Sequence, residues 1–255
     1  MEFASSAEKY DRFMGRYTTS LAPAFTDAAG VVEGMRVLDV GCGPGGLTRE
    51  LARRVGAGNV AAIDPAPQFA SACRQRHPGA DVREGAAEAL PWDDGSFDAT
   101  LASLVVAFMR DADKGVREMA RVTRPGGTVA ACMWDIAGGG MMMLSTFWAA
   151  ARTLDRDVAG ERLRPGVTQG DLGERFRRAG LRDVVEGSVE ARVDYADFDA
   201  FWQPFTFGVG PAGQYLTSLP TERQAQLREA CRKRLPDGPF SLTARAWYAR
   251  GTATG

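Results

Sequence analysis

The sequence predicts an α/β protein built on an open, doubly wound sheet, and three observations carry that expectation. From Arg36 to Asp135 short apolar runs alternate with helix-like segments, the pattern of parallel strands joined by crossover helices. The first run feeds into a glycine-rich turn, VLDVGCGPGGLTREL, in which Gly41, Gly43 and Gly46 spell G-x-G-x-x-G. Beyond Asp135 two segments of near-alternating polarity, LRDVVEGSVEARVDY and GPFSLTARAWYARG, supply further strands.

Taken in order, MRVLDV is a buried strand and LTRELARRVG a helix stopped near Gly56. NVAAID is the second strand, Pro65 to Arg76 the second helix, ending before Pro78, and ADVREG the third strand. SFDATLASLVVAF carries the fourth. DADKGVREMARVTRPGG is a helix ended by Pro125 and a Gly126-Gly127 turn, because proline cannot extend a helix and glycine tolerates the turn. TVAACMWD is the fifth strand. IAGGGMMMLSTFWAAART then opens on a glycine hinge and becomes a helix, RDVAGERLRPGVTQG is a surface loop, and GDLGERFRRAGL is amphipathic. Between the last two strands, Asp194 to Gly238 is mostly helical by pattern, LPTERQAQLREACRKRL most clearly. Right-handed crossovers wind these strands into one sheet. The expected organisation is a single domain over 1–255, with a helical lead-in at 1–33, a core at 34–135, and two insertions, about 136–168 and 194–238, folded over the strand ends as a lid.

A chain of 255 residues fits one large α/β domain. A net charge of -1 and a pI near 6.0 lack the basic excess that phosphate-backbone binding usually requires, so no nucleic-acid partner is expected. No run of about 18 apolar residues is present, so no membrane span is expected. The N-terminal stretch MEFASSAEKYDRF is too charged for a signal peptide, and a cytoplasmic location follows. Cys42, Cys73, Cys132 and Cys231 are scattered and accompanied by one histidine, His77; free thiols and no metal site are expected.

In open α/β sheets ligands sit at the carboxyl ends of the strands, beside the switch point, so the glycine turn marks the site. Its glycines let backbone approach a ligand, and the helix behind offers N–H donors. A pyrophosphate suits both features but not Asp39, two residues before Gly41. Unit charges about 4 Å apart at an effective dielectric of about 20 interact by roughly 4 kcal/mol, repulsive toward phosphate and attractive toward ammonium. Asp64, closing the second strand roughly 20 residues past the glycines, is where an acid holds ribose hydroxyls. Glycine turn, facing acid and ribose acid together describe an adenosine that carries an amino acid, namely S-adenosylmethionine.

VLDVGCGPG, AIDP, GAAEALPW, SFDATLASLVV and EMARVTRPGGTVAACMWD resemble the successive motifs of class I S-adenosylmethionine-dependent methyltransferases, of the type that includes the ubiquinone and menaquinone biosynthesis enzymes (methyltransferase type 11). The resemblance covers about Tyr10 to Asp135. It implies a mostly parallel seven-stranded Rossmann-like methyltransferase sheet and the cofactor S-adenosylmethionine, with S-adenosylhomocysteine as product. It further implies that Gly41 and Gly43 line the methionine end, Asp64 and the adjoining Pro65 the ribose, Ala87 and Glu88 the adenine, and Ser103 and Leu104 the underside of the sulfonium. YDRFMGRY resembles the helical lead-in, in which an aromatic near Tyr17 closes over the cofactor. Where relatives commonly read G-D-A-E this chain has Gly85-Ala86-Ala87-Glu88, so the adenine contact passes to the Ala87 backbone.

Methyl transfer from a sulfonium is an in-line displacement that needs alignment, worth roughly 7 to 11 kcal/mol, more than acid–base chemistry. Many relatives carry histidine where this chain reads Val106-Ala107-Phe108, so that base is absent. Asp135, ending the fifth strand, is the candidate base or substrate anchor, against a plain capping role; Tyr10 and Tyr17 are weaker candidates. His77, at the end of the second helix, is expected to point away from the strand ends. The expected substrate pocket draws on Phe108, Met141, Phe147, Trp148, Trp202 and Phe205, against the competing reading that aromatic residues at helical spacing are core. The expected partner is a small, largely apolar methyl acceptor, and the expected state a monomer or homodimer. The alternative is a protein of the same fold that binds the cofactor without transferring methyl, such as a cyclase.

Overall fold

The computed structural model describes residues 11–254. Tyr10, one of the candidate proton carriers, lies outside them.

Seven strands form one sheet in the order β3-β2-β1-β4-β5-β7-β6. They are β1 (Val37–Val40), β2 (Val60–Asp64), β3 (Asp81–Glu84), β4 (Phe97–Ser103), β5 (Thr123–Trp134), β6 (Arg182–Tyr195) and β7 (Phe240–Thr252). The first five pair in parallel, whereas β7 runs antiparallel to both β5 and β6. The chain therefore winds outward from β1 in both directions. The crevice between the carboxyl ends of β1 and β4, where the winding reverses, is the natural ligand position.

Buried residues alternate faces along the strands as the pleat requires. In β5, Val129, Ala131 and Met133 face a core with α4 (Ala112–Val122) and α6 (Asp171–Arg178), while Ala130, Cys132 and Trp134 join the opposite core. That second core takes in α1 (Arg16–Ala29), α2 (Gly46–Val55), α5 (Met142–Leu154), α7 (Phe198–Trp202), α8 (Gly210–Ser218) and α9 (Thr221–Arg232). The fully parallel centre is apolar on both sides; the edge strand β6 shows strict alternation in its second half, having one wet face.

Helix α3 (Pro67–Arg76) covers a small separate cluster of Cys42, Ala62, Ala70, Cys73 and Val82. The expected Pro125-Gly126-Gly127 turn becomes an irregularity inside β5, which begins at Thr123. Phe97 pairs with Thr123 but Ala99 already pairs with Thr128, so the extra residues bulge out of the ladder.

The two insertions are helical as read, but their apolar side chains pack inward. Phe147 stacks on Phe205 at 4.6 Å between ring centroids and meets Trp148 edge-on at 5.2 Å, and Phe205 meets Phe13 edge-on at 5.8 Å. Met141, Phe147, Trp148, Trp202 and Phe205 are all buried. Their placement corrects the expectation that they line a substrate pocket. Rings at helical spacing bury large apolar areas, and here they do so against one another and the lead-in helix.

Candidate functional site

The loop from β1 to α2 is shaped by its glycines. Gly41 turns the chain at φ 72°, and a Cβ there would lie 2.3 Å from Val105 Cγ2, so no side chain fits. Gly45, at φ 98°, would place a Cβ 2.7 Å from the His77 ring. The N–H groups of Gly41 and Cys42 both donate to the Ile63 carbonyl, at 2.8 and 3.0 Å, which fixes the loop against the end of β2.

A cavity of about 480 Å³ opens over this loop. Of the expected cofactor residues it brings together Asp39, Gly41, Gly43 and Ser103. Gly15, Arg16, Thr18 and Thr19 close it from the lead-in side, and Arg49, Arg76 and His77 from the other.

Asp39 is 1% exposed, and its Oδ2 accepts a 2.6 Å hydrogen bond from the Thr48 hydroxyl. Its Oδ1 is buried with no hydrogen-bond partner among the described residues. Burial pushes its pKa up to about 7, partly opposed by the Thr48 bond. A buried carboxylate oxygen without a donor, in a cavity wall, is a seat for a cationic or hydrogen-bond-donating ligand group.

Asp64 lies across the loop. Its Oδ2 accepts the Gly43 N–H at 2.9 Å and its Oδ1 the Ala66 N–H at 2.9 Å. Burial raises its pKa, while these two N–H donors oppose the rise. Each carboxylate oxygen retains a further lone pair. The acid thus ties the glycine loop to the start of α3 and can also accept from a sugar diol.

At the end of β4, Leu104 adopts φ 62°, a left-handed conformation unusual for a residue with a side chain, while its N–H donates to the Cys132 carbonyl at 2.8 Å. Ser103 contacts the Cys132 thiol at 3.6 Å.

Other expected residues stand outside the cavity. Tyr17 is fully buried, with its hydroxyl 2.6 Å from that of Tyr195 and its ring edge-on to Trp134, and burial raises its pKa. Pro65 is exposed at the start of α3. Ala87 is buried beneath α4, its Cβ facing Gly115. Glu88 Oε1 accepts the N–H groups of Arg110 and Asp111, at 2.6 and 3.1 Å, and so clamps the segment after β4.

Two expectations are corrected here. Asp135 is 1% exposed and held by Arg245, whose Nε lies 3.0 Å from Oδ2, and by the Gly138 N–H at 2.8 Å on Oδ1. Burial works to raise its pKa, but the Arg245 and Gly138 bonds outweigh it and hold the group below the ordinary carboxylate range. Such a carboxylate anchors β5 to β7 rather than accepting a proton. His77, conversely, does reach the cavity. The end of α3 folds back against the glycine loop, leaving Nε2 3.1 Å from the Gly45 carbonyl, which therefore receives the ring proton, and burial lowers the ring's pKa.

Arg16, Arg49 and Thr48 were not singled out from the sequence. Thr48 had a legible signal, a hydroxyl in the first turn of a helix whose start is buried. The two arginines had none, because the approach of the lead-in helix to the loop is tertiary.

The family model for a methyltransferase domain matches residues 38–131. The chain is 38% identical over 145 residues to a ubiquinone/menaquinone biosynthesis C-methyltransferase of Idiomarina loihiensis, covering 50% of this chain and 55% of that protein. It spans between 55% and 58% of the length of the first relatives it matches, this one included. Among solved structures, an S-adenosylmethionine-dependent methyltransferase from Aquifex aeolicus aligns with a TM-score of 0.53 at 20% identity, over 72% of this chain and 90% of that one. The [4+2]-cyclase SpnF aligns at 0.56 and 18% identity, over 93% and 82%. These structural likenesses show the shared fold.

Proposed function

We propose that the chain is a class I S-adenosylmethionine-dependent methyltransferase and that it transfers the methyl group of that cofactor to a small organic acceptor, a reading supported by the matched methyltransferase domain and by the similarity to named methyltransferases. The carrying observation is the pair of acids around the glycine loop: Asp39 with a buried, unpartnered Oδ1 in the cavity wall, and Asp64 bonded to the loop backbone. A cofactor with an amino-acid end and a ribose satisfies both, whereas a pyrophosphate beside Asp39 would be repelled.

In this reading Asp39 faces the cofactor's ammonium, Asp64 its ribose hydroxyls, and Arg16 or Arg49 its carboxylate. When bound, the cofactor supplies an electrophilic methyl group on a sulfonium. The protein contributes alignment and exclusion of water, and proximity of this kind is worth roughly 7 to 11 kcal/mol. Leu104, held in a strained conformation, keeps the end of β4 in one position beneath the reacting centre. The acceptor is largely apolar in this reading. Phe108, 43% exposed just beyond β4 with the Arg164 guanidinium 5.4 Å over its ring, supports an approach along that side.

The test is calorimetry with S-adenosylmethionine beside NADH, followed by an acceptor screen reading S-adenosylhomocysteine. Micromolar binding of the former alone, about -8 kcal/mol, together with turnover supports the proposal. Binding of NADH alone refutes it. Binding without turnover across a broad acceptor screen favours a non-methylating protein of the same fold.

A further inference from the structure

Arg16, Arg49 and Arg76 all line the cavity, but only one of them is held over a fixed aromatic ring. Arg76 is committed to the loop backbone, its Nη1 donating to the Pro44 carbonyl at 3.1 Å. Arg49 stands exposed on α2. Arg16 is exposed too, yet its guanidinium carbon sits over the face of Tyr195, 5.1 Å from the ring centroid.

Tyr195 ends β6 at the edge of the sheet and is 2% exposed. Its ring stacks on Phe240, the residue it pairs with in β7, at 5.2 Å and 18°, and meets Phe201 of α7 edge-on at 5.8 Å. Its hydroxyl lies 2.6 Å from that of Tyr17. Neighbouring residues of α1 therefore grip one ring, Tyr17 by the hydroxyl and Arg16 by the face. One turn further on, the Ser20 hydroxyl donates to the Arg192 carbonyl at 3.0 Å and accepts the Arg192 N–H at 3.2 Å, which pins α1 along the edge of β6. The ring is fixed on all these sides, and the cation above it borders the cavity. A long arginine side chain gives up rotamer freedom when it grips a ligand. A cation–π contact made beforehand removes part of that freedom in advance and leaves less to lose on binding.

We propose that Tyr195 is a positioning residue for cofactor binding: its ring presets Arg16 to receive the carboxylate of S-adenosylmethionine while Asp39 takes the ammonium of the same amino-acid end. This role rests on the proposed function. It brings β6, which lies outside residues 38–131 matched by the methyltransferase model, into the binding machinery.

Calorimetry with two ligands tests it: S-adenosylhomocysteine, which carries the amino-acid end, and methylthioadenosine, which keeps the adenosine and thioether but lacks that end. Arg16→Ala should weaken S-adenosylhomocysteine about 10- to 100-fold, as expected for hydrogen bonds to a charged group, and leave methylthioadenosine within about 2-fold. Tyr195→Met and Tyr195→Phe both remove the hydroxyl that meets Tyr17, and only Phe keeps a π face. Met should weaken S-adenosylhomocysteine about 3- to 5-fold, the size of an exposed cation–π contact, Phe should restore wild-type affinity, and neither should move methylthioadenosine. In an Arg16→Ala background, Tyr195→Met should add nothing. Methylthioadenosine binding also reports that each variant is folded. A Tyr195→Met protein that loses both ligands alike, a Phe variant as weak as Met, or effects that add in the double variant would each overturn the positioning role. If wild type binds both ligands equally well, the cofactor reading stands and the role of Tyr195 falls; if it binds neither, the functional reading falls and this role with it.

Discussion

Asp39→Asn separates stability from function at the centre of the site. The carboxyl is 1% exposed, and burial raises it from 3.8 to about 7. The folded protein therefore holds this proton more tightly than the unfolded chain. The group's favourable contribution is complete below pH 4 and is lost as pH rises through about 7. At about 1.36 kcal/mol per unit, keeping the anion buried at pH 8 costs about 4 kcal/mol. Asparagine removes the charge and can still accept from Thr48, but its amide N–H group takes the orphan position at about 1–3 kcal/mol. The net gain at pH 8 is about 2 kcal/mol, or roughly 4–8 °C in Tm for a chain of this size. Cofactor affinity moves the other way: losing an attraction of up to roughly 4 kcal/mol should weaken binding about 100-fold. Wild-type affinity should increase as pH rises toward 8, as the carboxyl ionises to meet the ammonium, and the variant should lose that dependence. Differential scanning fluorimetry at pH 5 and pH 8, with calorimetry at both, checks each part. A variant less stable than wild type at pH 8, or one binding as tightly, would refute the assignment of Asp39 as a buried acid reserved for a cation.

The other site and scaffold residues predict distinct outcomes. Asp64→Ala should weaken cofactor binding by about 1.5–3 kcal/mol, the value of a hydrogen bond to a charged acceptor, and calorimetry showing unchanged affinity would remove the ribose assignment. Gly41→Ala places a methyl 2.3 Å from Val105 in a left-handed backbone; binding should be lost and Tm should fall, and a variant that binds normally would mean that the loop is not shaped as described. Asp135→Ala should cost about 3 kcal/mol by leaving Arg245 without its partner at a half-buried site, measured by urea unfolding. Because Asp135 is held below the usual range, its support is present at neutral pH and lost as pH falls through its folded value, so the penalty of the variant should shrink in acid. His77→Ala should leave turnover within about 3-fold, its ring serving to pack against Gly45, and a loss of kcat larger than 100-fold in a turnover assay would make it catalytic.

The elements and the class of site were legible in the primary structure because their causes are local. Apolar period, proline and glycine placement delimit β1 to β5 and the helices between them, since each signal acts within a few residues of where it is written. Asp39, Gly41 and Gly43 share one turn, so their convergence needed no tertiary information. Decisions that depend on residues meeting across the chain were not legible. Asp135 looked like a free acid until Arg245, 110 positions later, closed on it, and Tyr17 meets Tyr195 178 positions away. The aromatic residues of the insertions suit a pocket or a core equally well by composition, and the lead-in and insertion helices coming together made them a core. His77 and Cys73 reach the glycine loop only because α3 folds back on it. Periodicity sets which face of an element is apolar, but its neighbours are set by the winding of the whole sheet, and that is a property of tertiary structure.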